Sequence, residues 1–156
     1  MKKGRILNRA LNHAISVMGH TDVLILTDAG FNIPLDAICV DLAITQDLPS
    51  VMTALELLTS DFIYERCIVA EENKQYNPIF HQKLVEHIDR CEVETVPHTD
   101  ILEKWRDKAK VFVRTGGLEP WGNIVLVSGI DAPSYFAKEG VITPDYYQKR
   151  AAYQEK

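Results

Sequence analysis

A histidine and an aspartate stand on either side of a short apolar run near the start of the chain. His20 follows Gly19 at the end of an amphipathic segment, and Asp28 directly follows the apolar residues 23–27. Open α/β sheets bind ligands at the carboxyl ends of their strands. An imidazole can transfer a proton near neutral pH, and a carboxylate can orient it or bind a hydroxyl group. We therefore predict that His20 and Asp28 share a pocket. The alternatives are that His20 only interacts with the dipole at the end of a helix, and that Asp28 only forms hydrogen bonds with the backbone of its own turn.

A second set of polar and aromatic residues stands at later element boundaries. His98 follows a predicted strand, and Trp121-Gly122-Asn123 closes a loop rich in glycine and proline before the last strand. An aromatic ring packs on the C–H face of a sugar, and a carboxamide pairs with its hydroxyl groups. These residues favour proton transfer and hydroxyl recognition over covalent or redox chemistry. The alternatives are a loop histidine at the surface, a buried tryptophan and a turn asparagine.

The other reactive side chains lack the spacing of a metal or nucleotide site. The five histidines show neither H-x-x-x-H nor H-E-x-x-H spacing, so we expect no metal. The stretch Arg114-Thr115-Gly116-Gly117 lacks the spacing and the Lys-Ser/Thr ending of a P-loop, so we expect no nucleotide there. Three helical histidines are predicted to lie at the surface: His13, His81 and His87.

Composition bounds the class of protein. The 156 residues are 46% hydrophobic and 25% charged, which suits a single globular domain. The net charge of −5 comes from interspersed acids and bases and argues against a nucleic-acid surface. No apolar run approaches the ~20 residues needed to span a bilayer, so we expect no membrane role. Three widely spaced cysteines predict reduced thiols and a cytoplasmic protein.

The elements that must position these residues alternate between apolar runs of strand length and helical patterns. Strands are predicted at 23–27, 37–43, 62–70, 91–96, 111–113 and 123–127, and helices at 7–18, 51–58, 78–88 and 99–108. Gly19 is predicted to end the first helix, and Thr99 or Asp100 to cap the last. Residues 144–154 form either a short helix or a mobile tail. The pattern predicts one α/β domain, a three-layer α/β/α sandwich around a largely parallel, mixed central sheet.

The order of short motifs resembles the D-ribose pyranase and fucose mutarotase family. The resemblance runs in register from residue 1 to about Gly129, and Thr45-Gln46 with Pro49-Ser50 and the region around His98 place it nearer the ribose branch. The matching motifs are Met1-Lys2-Lys3-Gly4, Gly19-His20-Thr21-Asp22, Asp28-Ala29-Gly30, Ile33-Pro34, Asp41-Leu42-Ala43, Ala70-Glu71-Glu72, Asn77-Pro78, Arg114-Thr115-Gly116 and Pro120-Trp121-Gly122-Asn123-Ile124.

This resemblance implies a function and a set of site residues. Members interconvert the pyranose and furanose forms of ribose, and its anomers, without metal or organic cofactor. His20 matches the family's general acid, and Asp28 and His98 match its substrate-binding pair. Trp121, Gly122 and Asn123 match the sugar-binding segment, in which tyrosine is usual in place of Trp121. Two alternatives stay open: a mutarotase for fucose or another pyranose, and a sugar-binding module without catalysis.

The resemblance also implies an assembly and a departure from the family. Members form rings, often decamers of two stacked pentamers, with the cleft near subunit contacts, so a neighbouring copy could complete the pocket. Family chains usually stop near Asp131, whereas this chain continues to Lys156. We therefore expect a pyranase-like domain over residues 1–130, followed by an extension over residues 131–156.

Overall fold

The computed structural model describes residues 3–154 and contains a six-stranded mixed sheet. The strands are β1 (Val23–Thr27), β2 (Ile38–Asp41), β3 (Tyr64–Ala70), β4 (Val93–Val96), β5 (Ala109–Arg114) and β6 (Ile124–Ser128). Their spatial order is β2-β5-β1-β6-β3-β4. All neighbours pair in parallel except β6, which runs antiparallel to both β1 and β3. The predicted α/β fold with a largely parallel, mixed sheet is confirmed.

Helical segments cover both faces of this sheet. They are α1 (Arg9–Ser16), α2 (Val51–Thr59), α3 (Glu71–Tyr76), α4 (Pro78–His87), α5 (His98–Asp100), a π-helical turn (Ile101–Trp105), α6 (Arg106–Lys108), α7 (Ala132–Phe136), a 3-10 turn (Asp145–Tyr147) and α8 (Gln148–Ala151). Buried residues of α1, α2 and α4 pack on one face, and Ile101 of the π-helical turn packs on the other with Phe31. The sheet is thus the middle of three layers.

The side chains of β1 alternate between the two covered faces of the sheet, which shows why this strand lies in the interior. Leu24 and Leu26 point to the face covered by α1, α2 and α4, whereas Val23 and Ile25 point to the opposite face. All five residues of β1 are buried, as a continuous apolar run predicts for a strand covered on both sides. The predicted first and last residues of β1, 23 and 27, are confirmed.

The direction of β6 decides which residues meet at each edge of the sheet. We call the edge where β1–β5 end the carboxyl edge, and the opposite one the amino edge. Because Leu26 near the end of β1 pairs with Ile124 at the start of β6, Asn123 lies at the carboxyl edge. Asp28, which follows β1, and His98, which follows β4, lie at the same edge. His20, which precedes β1, lies at the amino edge.

Several details differ from the sequence-based expectations. α1 ends at Ser16 with Val17 as its C-cap, and the positive φ nearby, 71°, belongs to Thr21, so Gly19 does not terminate the helix. α5 begins at His98 without a side-chain cap, so the predicted cap at Thr99 or Asp100 is wrong. Helical spacing places Val85 with Leu84 and Ile88 on the predicted buried face of α4, but Val85 faces solvent and is 44% exposed.

The chain after Asp131 folds back on the domain. Asp131 caps α7 by accepting a hydrogen bond from the backbone N–H of Ser134 at 3.4 Å, and Ala132 is 2% exposed. The 3-10 turn and α8 follow within residues 144–154. We call residues 132–154 the C-terminal segment. Across residues 3–154, every helix is too short or too polar to cross a bilayer.

Candidate active site

Asp28 and Asn123 form a reciprocal pair at the carboxyl edge. The backbone N–H of Asp28 donates to Oδ1 of Asn123 at 3.0 Å, and Nδ2 of Asn123 donates to Oδ2 of Asp28 at 3.0 Å. Oδ1 of Asp28 also accepts from the backbone N–H of Gly30 at 2.8 Å. Asn123 is 3% exposed, whereas Asp28 is half-buried. The buried amide therefore fixes a carboxylate that retains free acceptor positions toward solvent.

His98 lies at the same edge with one ring nitrogen unpaired. Its backbone N–H donates to Oε2 of Glu72 at 3.0 Å, which fixes the start of α5. Nε2 of His98 is buried and has no hydrogen-bond partner among the described residues. Buried polar atoms are nearly always paired, so this nitrogen is available to a bound ligand.

The segment Trp121-Gly122-Asn123 is held in a tight turn by residues from α3 and the loop that follows it. Trp121 has a φ of 52°, a conformation that a residue with a side chain adopts only when its surroundings enforce it. The carbonyl of Trp121 accepts from Nδ2 of Asn73 at 3.2 Å, and Nδ2 of Asn77 donates to Oε2 of Glu119 at 3.1 Å. A Cβ on Gly122 would lie 2.5 Å from Cβ of Glu119, so this position requires glycine.

The Trp121 ring has a partly structural role. It lies 5.3 Å from the ring of Tyr76, centroid to centroid, at an angle of 39°, and it packs against the core face that contains Ile25 and Phe112. The ring is therefore anchored beside the Asp28–Asn123 pair rather than free in solvent.

His20 lies at the amino edge with different neighbours. Its Nε2 is 3.2 Å from Oε2 of Glu65, and the hydroxyl of Tyr147 is 3.5 Å from the same nitrogen. The same oxygen of Glu65 accepts from Nη1 of Arg150 at 3.0 Å. Because an ionised carboxylate only accepts, Nε2 of His20 carries the proton in this pair.

The expectation that His20 and Asp28 share one pocket is wrong within a single chain. The two residues lie beyond opposite ends of β1, and a strand of five residues spans about 15 Å. Asp28 therefore does not orient the imidazole of its own chain. Of the predicted site residues, the structure gathers Asp28, Asn123, Gly122 and Trp121 around one turn, places His98 at the same edge and leaves His20 at the other.

Two of the three histidines predicted to be surface residues have structural contacts. Nδ1 of His81 donates to Oδ1 of the fully buried Asn73 at 3.0 Å, and Nε2 of His87 lies 2.8 Å from the hydroxyl of Thr59. Burial, with a smaller contribution from Lys74, holds the pKa of His81 below its usual value. Both are half-buried, so the prediction is wrong for them, whereas His13 is exposed as predicted.

Sequence reasoning missed the residues that support the site. Asn73 and Asn77 hold the turn from 48 and 42 positions away, and Glu65 contacts His20 from 45 positions away. An asparagine in a helix or an acid in a strand carries no local mark of such a role. Among residues 3–154, no three His, Cys, Asp or Glu side chains converge as ligands of a metal would.

Comparison with known proteins identifies the family. A model of the RbsD / FucU transport protein family matches residues 1–131. The chain belongs to the RbsD / FucU family. The RbsD / FucU match ends where the C-terminal segment begins.

Two relatives of the RbsD / FucU chain extend over nearly its whole length. D-ribose pyranase 2 of Rubrobacter xylanophilus is 48% identical over 151 residues, covering 97% of this chain and 98% of the relative. D-ribose pyranase 1 of Streptomyces griseus is 41% identical over 150 residues, covering 96% and 99%. These alignments include most of the C-terminal segment.

A solved RbsD structure shares the fold. Bacillus subtilis RbsD complexed with D-ribose superimposes with a TM-score of 0.78 at 30% identity, covering 83% of this chain and 98% of that chain.

Proposed function

We propose that this chain is an isomerase that interconverts the pyranose and furanose forms of D-ribose, and its anomers, by acid–base catalysis. The observation that carries the proposal is the reciprocal Asp28–Asn123 pair, which presents a fixed carboxylate at the sheet edge where α/β folds bind ligands. It is supported by the 48% identity to D-ribose pyranase 2 over nearly the whole chain.

The reaction needs only proton transfer at two oxygens of the sugar. A base takes the proton of the anomeric hydroxyl, and an acid protonates the ring oxygen. The bond between the anomeric carbon and the ring oxygen breaks to give the open-chain aldehyde. Another hydroxyl then adds to the aldehyde and both protons return, so atoms and charge balance. A positioned acid or base typically contributes ~10²–10⁴-fold. No hydride is transferred, and no step changes the oxidation level of the sugar.

Each candidate residue has a role that its position permits. His20 gives the proton to the ring oxygen. The Asp28 carboxylate accepts a hydrogen bond from a sugar hydroxyl and is the basic group of the carboxyl edge. His98 and Asn123 bind further hydroxyls through Nε2 and the carboxamide, and Trp121 packs on the ring while Gly122 keeps the turn close to the sugar.

We infer that a site with all of these residues forms between two copies of the chain. Within one copy, β1 separates His20 from the carboxyl edge, so the imidazole has to come from a neighbour. Exposed apolar residues lie in and beside β2, one of the two outer strands: Leu35, Ile38 and Ile44 are 107%, 46% and 78% exposed. A repeated head-to-tail contact closes into a ring. We propose a ring assembly, a decamer of two pentamers, which sedimentation measurements would test.

Exchange NMR with D-ribose tests the proposed activity. The wild-type protein should speed magnetisation transfer between the pyranose and furanose signals, His20→Ala should abolish the acceleration, and His13→Ala, an exposed histidine of α1, should keep it. Ribose binding without acceleration would instead indicate a sugar-binding module. Faster exchange with L-fucose, galactose or glucose than with ribose would assign a different sugar.

A further inference from the structure

We propose that Glu65 is the positioning residue for His20, and that Arg150 and Tyr147 of the C-terminal segment complete this support. The inference rests on the proposed function, since it assigns the surroundings of the general acid. It makes catalysis depend on a segment that lies outside the family match over residues 1–131.

Glu65 is placed to fix the orientation of the imidazole. Its side chain is 12% exposed, and its Oε2 lies 3.2 Å from Nε2 of His20. A carboxylate in this position requires the proton on Nε2. Among the described residues no hydrogen bond involves Nδ1, so Nδ1 is the nitrogen that exchanges a proton with the sugar. The imidazolium, protonated on both nitrogens, gives the Nδ1 proton to the ring oxygen and keeps the Nε2 proton that faces Glu65. Partners that fix the tautomer of a functional histidine act in the same way.

His20 needs such a partner because packing does not hold it. Its side chain is 39% exposed and lies in the turn between α1 and β1. The hydroxyl of Tyr147 lies 3.5 Å from the same nitrogen that faces Glu65, which is too distant for a strong hydrogen bond but close enough to restrict rotation of the ring.

Arg150 connects the C-terminal segment to Glu65. Its Nη1 donates to Oε2 at 3.0 Å, and its guanidinium carbon lies 5.3 Å from the centre of the Tyr147 ring. Arginine therefore holds both residues that touch His20: the carboxylate by a charge-assisted hydrogen bond and the ring by a cation–π contact. The positive charge also offsets part of the cost of a largely buried carboxylate.

The C-terminal segment is anchored well enough to serve this purpose. The Tyr147 ring lies 5.2 Å from that of Phe136, and Tyr153 donates a hydrogen bond to Oδ2 of Asp89 at 3.1 Å. The guanidinium of Arg90 lies 4.3 Å from the centre of the Tyr153 ring. The contacts of Tyr153 tie the segment to the connection between α4 and β4, and the Tyr147–Phe136 contact joins two parts of the segment to each other.

The contacts favour support over obstruction. A blocking segment would bury His20 or occupy both of its ring nitrogens, whereas here the side chain keeps 39% of its exposure and Nδ1 has no partner among residues 3–154. The segment touches the nitrogen that already faces Glu65.

Two substitutions and a matched control test this assignment. Glu65→Gln and Arg150→Met should each lower the ribose exchange rate constant at saturating ribose by about 10- to 100-fold, the range for partners that orient an imidazole. Ribose affinity, measured by calorimetry, should change less than threefold, and Arg150→Lys should recover part of the rate. Lys149→Met is the control, because Lys149 in the same helix is 88% exposed and 4.0 Å from an equally exposed Glu92.

The ¹⁵N chemical shifts of the His20 imidazole are a second measurement. They report its tautomer directly and separate a change in tautomer from a general loss of folded protein. Wild-type His20 should show the tautomer protonated at Nε2, and Glu65→Gln should change the tautomer populations. Unchanged rates and unchanged tautomers in both variants would overturn the assignment, and so would a faster Arg150→Met enzyme, which would mean obstruction. A wild-type protein without ribose exchange would instead overturn the proposed function, and this inference with it.

Discussion

The amide of Asn123 and the carboxylate of Asp28 lie 3.0 Å apart across the β1–β6 pairing, and the same amide accepts the backbone N–H of Asp28 at 3.0 Å. One buried side chain therefore satisfies the backbone of β1 at its end and orients the acidic group that follows it. We therefore propose that stability and ligand binding depend on the same two hydrogen bonds.

Asn123→Ala should weaken both properties. It removes the partners of the backbone N–H and of Oδ2 of the half-buried Asp28, which costs about 1–3 kcal/mol of unfolding free energy for an unsatisfied buried group. Denaturant unfolding measures this loss, and ribose titration should show weaker binding. Asn32→Ala, an exposed asparagine in the following loop, is the control and should change the unfolding free energy by less than about 0.5 kcal/mol. Equal effects of the two substitutions would contradict the role of the pair.

Gly122→Ala should displace the turn that carries Trp121. The added methyl group would lie 2.5 Å from Cβ and 2.9 Å from the carbonyl oxygen of Glu119, so the backbone must move. Overpacking of this kind costs about 1–3 kcal/mol. Gly19→Ala is the matched control, because its new Cβ would meet its nearest neighbour, an oxygen of Asp22, at 3.5 Å. Thermal unfolding should separate the two variants; indistinguishable midpoints would mean that the turn tolerates a side chain.

His81 should make the fold sensitive to acid. Because burial lowers its pKa in the folded state, the folded protein binds the proton less readily than the unfolded chain. Below the ordinary histidine pKa of about 6.5 the unfolded chain holds more protons, so the unfolding free energy falls as the pH drops from 7 to 5.

Replacement of His81 isolates its part of this slope. In His81→Gln the fall in unfolding free energy between pH 7 and 5 should be smaller than in the wild type, as measured by denaturant unfolding at each pH. His13→Gln, on the exposed face of α1, should leave the slope unchanged. A wild-type slope in His81→Gln would show that other groups cause the acid sensitivity.

Local patterns were sufficient for most elements of the fold. β1 and the buried face of α2 (Val51, Ala54, Leu55 and Leu58) follow directly from an apolar run and from helical spacing. α3 was not predicted, because its residues Glu71–Tyr76 are polar and only Asn73 is buried. Gly19 was assigned a helix-terminating role on residue type alone, although the hydrogen bond from its N–H to Asp22 at 2.7 Å fixes a different turn.

The sequence was sufficient to select the candidate site residues, but not to predict which of them lie close together in the fold. Residue type and position at element ends pointed to His20, Asp28 and Asn123. The grouping of His20 with Asp28 was wrong because it treated seven intervening residues as a short distance, whereas five of them form an extended strand. The contacts of His20 come from Glu65 and from Tyr147, 45 and 127 positions away, and no local pattern connects such positions.

A mixing experiment with two inactive variants tests whether two copies of the chain share one site. His20→Ala and Asp28→Asn each remove one half of the proposed composite site, so each protein alone should fail to accelerate ribose exchange. After the two are unfolded together and refolded at equal amounts, about a quarter of randomly formed head-to-tail interfaces would combine an intact His20 with an intact Asp28. If two copies share one site, exchange NMR should show up to that fraction of the wild-type rate. No recovery in mixed assemblies, with both variants folded and able to co-assemble, would contradict a shared site.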